Sequence, residues 1–200
     1  MEEPKISIDI CEEMCYYAIY CLYANLNNIQ KIPTPTKFPD SPEPLFITWK
    51  VEETLRGCIG TFSPLNLHKG ISQYSLISAL EDRRFEKITL PEFDKLTCCL
   101  SLLTNFEIGK GWADWEIGKH GIIIKFKQDR EYTSTYLPEV AKENDWNHRQ
   151  TIESLIKKAG YYRKIDDAAM AKVRLQRFQS LKVSMTTKEF MERFDAKYQF

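Results

Sequence analysis

The motif that most constrains the fold is residues 55–62, which read Leu-Arg-Gly-Cys-Ile-Gly-Thr-Phe. Gly57 and Gly60 allow neighbouring backbone to approach closely, which larger residues resist. Arg56 and Cys58 are two positions apart, so on an extended strand both side chains point to the same face. A guanidinium beside a thiol can bind an anion or favour the thiolate form. The motif therefore predicts a strand that also carries a functional site.

The segments on either side of this motif alternate between helical and strand patterns. Apolar residues at helical spacing predict helices, whereas alternating β-branched and aromatic residues predict strands. The predicted helices are 8–26, 64–84, a short one beginning at 137–139, 151–159 and 187–198. The predicted strands are 45–51, 55–59, 96–104, 122–126, 132–136 and 171–183, the last as a strand pair or one long bent strand.

Local signals refine these boundaries. Asp9 and Glu12 are spaced as in a capping box, which predicts the N-terminus of the first helix. Residues 32–44 contain five prolines and predict an irregular surface loop. The short connection at 52–54 predicts that strands 45–51 and 55–59 form a hairpin.

The order of these elements predicts an α+β fold with a mostly antiparallel sheet and flanking helices. Barrel-like closure of the sheet is left open. A chain of 200 residues suits one domain, so residues 1–200 are predicted to form a single domain. A smaller lobe is expected within about residues 90–135, where a glycine- and tryptophan-rich loop occupies 109–121.

Composition limits the possible functions. Lys plus Arg and Asp plus Glu both number 28, and this balance argues against a strong non-specific polyanion binder. The acidic start at Met1-Glu2-Glu3 and the lack of a long apolar run predict neither a signal peptide nor a membrane association. We therefore expect a cytoplasmic protein, with nuclear localisation as well left open, and its six cysteines as free thiols.

A metal or cofactor is not expected. Cys11 and Cys15 are four apart on the first predicted helix and could share a metal ion, but no further Cys or His pair completes such a site. Small free cysteines are common in protein cores, and this interpretation is favoured for both.

The candidate site combines residues that are distant in the sequence. In this hypothesis Cys58 is a nucleophile, His120 is the base that takes its proton, and Glu116 orients His120. Arg56 binds a carboxylate or phosphate or stabilises developing negative charge. Further ligand-binding residues are predicted at Gly57, Gly60, Thr61 and Tyr136.

A structural interpretation of the same residues stays open. The Gly-Cys-Ile-Gly segment can be a tightly packed strand, in which Cys58 is a small apolar residue. Arg56 could then pair with Glu116 or Asp114, and His120 could be a core histidine with satisfied hydrogen bonds.

Two non-enzymatic classes are also possible. An aromatic platform of Trp112, Trp115, Tyr132 and Tyr136, with the basic residues of the C-terminal third, could hold single-stranded nucleic acid. This interpretation is not favoured, because Asp166 and Asp167 interrupt the basic run and the overall charge is balanced. An adaptor could dock a protein partner through the 109–121 loop or the proline segment.

The chain also resembles a known family in several motifs taken in order. These are residues 55–62, Tyr74-Ser75-Leu76-Ile77-Ser78-Ala79, Arg84-Phe85, Ser101-Leu102-Leu103-Thr104, 112–122, 135–141 and 155–160. The chain is similar through them to the AMMECR family, named after the Alport syndrome, mental retardation, midface hypoplasia and elliptocytosis deletion region. The resemblance implies a single α+β module, found from archaea to animals, whose biochemical activity is not established. The chain follows the family's pattern at Arg56, Gly57, Cys58, Gly60, His120 and Tyr136.

From the residues and the resemblance together, we expect a protein that binds a small anionic or carbonyl-bearing ligand beside Arg56 and Cys58. A cysteine-dependent enzyme of unknown reaction is the sharper version of this hypothesis. A protein-interaction adaptor or a nucleic-acid-binding module is the alternative.

Overall fold

The computed structural model describes residues 6–195 of the 200-residue chain. The helices are α1 (Ile8–Leu26), α2 (Leu67–Leu80), α3 (Pro138–Glu143), α4 (His148–Lys158), α5 (Asp167–Met170) and α6 (Thr187–Asp195), with a 3₁₀ helix at Leu90–Lys95. The strands are β1 (Pro42–Val51), β2 (Thr54–Asn66), β3 (Leu96–Ile108), β4 (Gly121–Lys127), β5 (Glu131–Tyr136) and β6 (Val173–Thr186). The predicted α+β class is confirmed. The part of the last predicted helix at 196–198 lies outside the described residues.

The six strands form one sheet in the order β2-β1-β3-β6-β4-β5, so β2 lies at one margin. β1 pairs antiparallel with both β2 and β3, and β4 pairs antiparallel with both β5 and β6. The predicted hairpin of strands 45–51 and 55–59 is therefore present, β4 and β5 form another hairpin, and the last strand is one long strand. Thr48 of β1 lies opposite Cys58 on one side and Cys99 on the other.

The chain divides into two compact units. The first consists of the residues up to Leu102 together with those from Leu181 onward, and the second is Leu103–Ser180.

The core of the first unit forms around α1, which contacts α2 and α6. Residues 14–22 of this helix are buried without interruption. Apolar residues at helical spacing indicate one buried face, but this stretch of α1 is covered on nearly all sides. Tyr16 packs against Phe190 of α6 with ring centroids 4.8 Å apart, and Trp49 of β1 is fully buried.

In the second unit, α4 packs on the β4–β5 hairpin. The rings of Phe126 and Tyr161 are 5.0 Å apart between centroids, and Tyr132 lies 5.4 Å from Tyr161. Asn147 begins α4 through a capping box, in which its side chain accepts from the Gln150 N–H. The start of α4 lies three residues before the predicted one for this reason.

Several predicted boundaries were wrong. The N-cap of α1 is Ser7, whose hydroxyl accepts from the Ile10 N–H at 3.3 Å, and not Asp9. Residues 64–66 belong to β2 and not to a helix, because Asn66 lies opposite Pro42 in the sheet. The helix then begins at Leu67, where a carboxylate oxygen of Asp40 accepts from the His68 N–H at 2.8 Å.

Membrane-spanning helices are absent from the described part of the chain. None of its helices combines the length and the apolar character needed to cross a bilayer. All six cysteines are free thiols, as predicted.

Candidate functional site

Arg56 is held by groups within the first unit. Its Nε donates to Glu92 Oε1 at 2.9 Å, and one Nη2–H donates to Glu92 Oε2 at 3.3 Å. Nη1 donates to the carbonyl oxygen of Glu86, and Nη2 also donates to that of Lys87 at 3.2 Å. Arg56 therefore has an internal carboxylate partner, but this is Glu92 and not Glu116 or Asp114, which the structural interpretation named. These bonds use four of the five N–H groups of Arg56, so little of its guanidinium is left for an anionic ligand.

The backbone of Cys58 is bound by two charged side chains that follow α2. Its N–H donates to Asp82 Oδ2 at 2.9 Å, and its carbonyl oxygen accepts from Arg84 Nη2 at 3.0 Å. Arg84 also donates to both carboxylate oxygens of Asp82, at 2.9 and 2.7 Å. These hydrogen bonds hold the pKa of Asp82 well below its usual range. The helix ends at Leu80, and not at Arg84 as predicted, because these side chains turn back towards β2.

The guanidinium available beside Cys58 is that of Arg84. Asp82 raises the pKa of Arg84 through its hydrogen bonds, and Cys58 as a thiolate would add to this effect. The Arg84 side chain is 58% exposed. Its Nη1 has no hydrogen-bond partner among the residues that the structure describes.

The thiol of Cys58 is only partly buried. The Thr48 hydroxyl donates to its sulfur at 3.1 Å. Cys99, on the other side of Thr48, is also partly exposed, and burial raises the pKa of its thiol. Cys58 on β2 and Cys99 on β3 are separated by β1. Because adjacent strands are about 4.8 Å apart, these two thiols lie too far from each other to form a disulfide.

The two motif glycines are required by close packing. A methyl group on Gly57 would overlap the backbone carbonyl oxygen of Ser78 in α2. One on Gly60 would overlap the carbonyl oxygen of Leu45 and the ring of Phe46. Thr61 forms a local turn, in which its hydroxyl accepts from the Ser63 N–H at 2.9 Å. The glycines thus keep β2 close to its neighbours and thereby place Cys58.

His120 and Glu116 are adjacent in the second unit. The main-chain N–H of Glu116 donates to His120 Nδ1 at 3.0 Å. The main-chain N–H of His120 donates to the Glu116 carbonyl oxygen at the same distance. Burial, and then the positive charges of Arg177 and Lys119, lower the pKa of His120. A neutral ring whose Nδ1 accepts carries its proton on Nε2. His120 is therefore a hydrogen-bond donor in this state, and a role as base would require it to release Glu116.

Glu116 orients His120 through its main chain. The Glu116 carboxylate is 65% exposed and pairs instead with Lys119 Nζ at 3.1 Å. Tyr136 lies elsewhere in the unit, where its hydroxyl shares a hydrogen bond of 2.9 Å with Ser154. Lys158 Nζ lies 4.6 Å from the centre of the Tyr136 ring.

A polar cleft of about 490 Å³ opens beside His120. We call it the His120 cleft; its polar lining includes Glu107, Asp114, Glu116, His120, Arg177 and Gln179. Arg177 is fixed in it by Glu107 Oε2 at 2.7 Å and by Asp114 Oδ1 at 2.9 Å. The pKa of Arg177 is raised, chiefly by the hydrogen bonds that it donates to Glu107.

A comparison with family models identifies the relatives of this chain. The AMMECR1 model matches residues 13–183, which include both the Cys58 region and the His120 cleft. The chain belongs to the AMMECR1 family. The resemblance found in the sequence is thereby confirmed.

Relatives in the AMMECR1 family come from distant organisms. An uncharacterised protein of Arabidopsis thaliana is 41% identical over 187 residues, which cover 90% of this chain and 86% of that protein. One from Schizosaccharomyces pombe is 36% identical over 92% of this chain and 97% of its own length. A Thermoplasma acidophilum protein is 33% identical over 81% of this chain and 82% of its own.

A solved structure supports the AMMECR1 fold. The crystal structure of an uncharacterised protein from Pyrococcus horikoshii matches with a TM-score of 0.70 and 23% identity. The match covers 88% of this chain and 91% of that one. At this identity the likeness concerns the fold alone.

Sequence reasoning missed several residues of these AMMECR1 sites. The predicted site contains none of Asp82, Arg84, Glu92 and Thr48, and Arg177 enters the prediction only as one of the basic residues of the C-terminal third. The position of Asp82 and Arg84 directly after an apolar helix stripe was the only available signal. Thr48 could have been found from the hairpin register, which places it opposite Cys58.

Proposed function

We propose that this AMMECR1-family chain binds a small anionic, carbonyl-bearing ligand at Cys58, with Arg84 as the anion-binding group. One observation carries the proposal: the carbonyl oxygen of Cys58, a partly exposed cysteine, accepts from a guanidinium that is fixed in place but keeps free donors. Arg84 is fixed because Asp82 holds it through two hydrogen bonds. A donor group held in advance loses less conformational entropy when it binds an anion.

Arg56 has a positioning role in this proposal. Its guanidinium joins the motif strand to Glu92 and to the backbone at Glu86 and Lys87. It therefore supports the backbone beside Cys58 and does not contact the ligand. Gly57 serves the same purpose by allowing β2 to pack against α2.

Cys58 could form a reversible covalent bond with such a ligand. The thiolate sulfur adds to the carbonyl carbon, a C–S bond forms, and the electrons of the C=O π bond move to the oxygen. Water then protonates this oxygen, and the product is a thiohemiacetal. The hydrogen bond from the Thr48 hydroxyl helps to fix the position of the sulfur from which the addition begins.

Two of the four rings in the aromatic-platform alternative are not accessible to a ligand. Trp115 and Tyr132 are both only 6% exposed, and their rings pack in the core of the second unit. Rings that are buried in this way cannot stack on nucleic-acid bases.

Competing alkylating reagents test the proposal. Iodoacetate is an anion and iodoacetamide is its neutral counterpart, so their rate ratio at one thiol reports a local positive charge. We expect the rate with iodoacetate, divided by the rate with iodoacetamide, to be about two- to fivefold higher at Cys58 than at Cys99. This factor is in line with the strength of exposed ion pairs. Peptide mass spectrometry measures both cysteines in the same sample.

The variant Arg84→Gln should lower the ratio at Cys58 to that at Cys99, whereas Arg84→Lys should retain part of it. Arg83→Gln is the matched control, because Arg83 is the adjacent exposed arginine. Glyoxylate should also slow the alkylation of Cys58 more than acetate does. Equal ratios at the two cysteines, together with no protection by glyoxylate, would overturn the proposal.

A further inference from the structure

The His120 cleft lies within the second unit and contains a donor that the Cys58 proposal does not use. His120 is only 9% exposed, yet its Nε2 has no hydrogen-bond partner among the described residues. Nε2 itself is not enclosed, since it is not one of the fully buried side-chain atoms without a partner in the described residues, and it can therefore donate to a group that enters the cleft. This nitrogen borders the cleft, so a ligand entering the cleft can supply the missing acceptor.

The state of the His120 ring defines which ligand atom it can bind. Nδ1 is occupied by the Glu116 N–H, so the neutral ring presents Nε2–H to the cleft. The fixed positive charges of Arg177 and Lys119 oppose protonation of the ring. A neutral imidazole held in this way donates to a carbonyl oxygen without acting as a base.

The remaining polar groups of the cleft are mostly acceptors. Glu107 uses Oε2 for Arg177, and Glu116 uses Oε2 for Lys119. The other oxygen of each carboxylate has no hydrogen-bond partner among the described residues, and the same holds for the amide of Gln179. A ligand must therefore offer hydrogen-bond donors as well as one acceptor.

The charge of the cleft excludes an anion as the preferred ligand. Glu107, Asp114 and Glu116 supply three carboxylates, whereas Arg177 and Lys119 supply two cations. Nε and Nη2 of Arg177 already donate to Glu107, and Nη1 already donates to Asp114. A negative charge placed here meets net repulsion.

We propose that the His120 cleft is a second ligand site, which binds a neutral carboxamide. Its carbonyl oxygen accepts from His120 Nε2–H, and its N–H donates to the free oxygen of Glu107 or Glu116. This pairing satisfies a donor and an acceptor of the cleft with a single uncharged group. The site is independent of the ligand proposed at Cys58, which carries a negative charge.

Nitrogen-15 NMR of the histidine side chains tests this inference on the whole chain. The probes are propionamide and propionate, which have nearly the same size but differ in charge and in N–H donors. We expect propionamide to shift the His120 Nε2–H signal in a saturable manner, and propionate at the same concentration to leave it in place. A peptide probe, acetyl-Gly-Gln-Gly-amide, carries the same amide on a glutamine side chain. If it binds more tightly than propionamide, the ligand is a glutamine side chain of a protein partner; if it binds more weakly, the ligand is a free small amide.

Two variants of His120 distinguish the loss of the Nε2–H donor from a change in the surrounding structure. His120→Asn keeps an acceptor near the position of Nδ1 for the Glu116 N–H but removes the Nε2–H donor. It should bind propionamide about three- to tenfold more weakly, as expected for one lost hydrogen bond. His120→Gln places an amide nitrogen near the position of Nε2 and should retain part of the affinity.

His148→Asn is the matched control, because His148 lies in the same unit but bonds to the Trp115 carbonyl oxygen instead. Equal binding of propionate and propionamide by the wild-type chain would overturn the inference, whether or not the variants fold. Unchanged propionamide binding by His120→Asn would overturn it as well.

Discussion

Arg56 and Glu92 are joined by two hydrogen bonds, of 2.9 and 3.3 Å, although they are 36 positions apart in the sequence. The same carboxylate accepts from the N–H of Thr89 at 3.0 Å and from its hydroxyl at 2.9 Å. These contacts, the one with Arg56 first, lower the pKa of Glu92. One carboxylate therefore connects the motif strand to the start of the 3₁₀ helix.

Replacing Arg56 should mainly reduce stability. Arg56→Ala leaves the carboxylate of Glu92 and the carbonyl groups of Glu86 and Lys87 without their donor. Because the Arg56 side chain is only 16% exposed, we expect the free energy of unfolding to fall by about 1–3 kcal/mol. Urea denaturation measures this value. Arg83→Ala, at an exposed position, should change it by less than about 0.5 kcal/mol.

Gly57 should not tolerate a side chain. In Gly57→Ala the new methyl group would overlap the Ser78 carbonyl oxygen, which belongs to the backbone of a packed helix. Relieving this overlap requires β2 or α2 to shift, so we expect a loss of about 1–3 kcal/mol of unfolding free energy. Gly111→Ala is the control, because no atom lies within 4 Å of its added methyl group. Similar midpoints for the two variants in urea would contradict this explanation.

The Asp82 contacts predict an acid-sensitive stability. The folded chain holds the pKa of Asp82 well below its usual range, first through Arg84, whereas an unfolded aspartate titrates near about 3.9. As the pH falls below this value, the unfolded chain binds a proton that the folded chain does not, so the free energy of unfolding decreases.

Denaturation curves between about pH 5 and 2 measure this slope. Asp82→Asn should be less stable than the wild type at pH 7 and should show a shallower decline. Arg84→Gln should flatten the curve as well, because it removes the main cause of the shift. Slopes identical to that of the wild type in both variants would exclude Asp82 as the source.

His120 should titrate below the ordinary histidine value of about 6.5, because burial, Arg177 and Lys119 all lower its pKa. The unfolded chain then takes up a proton before the folded chain does, so His120 makes the fold less stable as the pH falls through this range. NMR titration of the ring measures the midpoint. Lys119→Gln should raise this midpoint, because it removes a positive charge and frees the Glu116 carboxylate. A midpoint at or above the ordinary value in the wild type would contradict the prediction.

The fold could be predicted where its signals are local. The bounds of α1 coincide with the prediction because its apolar pattern is continuous, and the β4–β5 hairpin follows from two short strands around a turn. The start of α2 could not be predicted in this way. Asp40 accepts from its first turn across 28 positions, and the pairing of Asn66 with Pro42 depends on the register of a distant strand.

The candidate site shows the same division. The sequence indicated Cys58 and its strand, because two glycines and a cysteine in one motif form a local pattern. It could not indicate which arginine lies beside Cys58. Arg84 is 26 positions away and reaches the strand only because α2 ends at Leu80. Arg56, although closer in sequence, turns to Glu92.

The position of β2 at the margin of the sheet has a consequence for solubility. A strand in this position exposes N–H and C=O groups that could recruit a strand from another molecule and begin aggregation. At Cys58 both of these groups are occupied, the N–H by the Asp82 carboxylate and the carbonyl oxygen by the Arg84 guanidinium. Two charged side chains thus take the place that the backbone of an invading chain would need at this point of the margin.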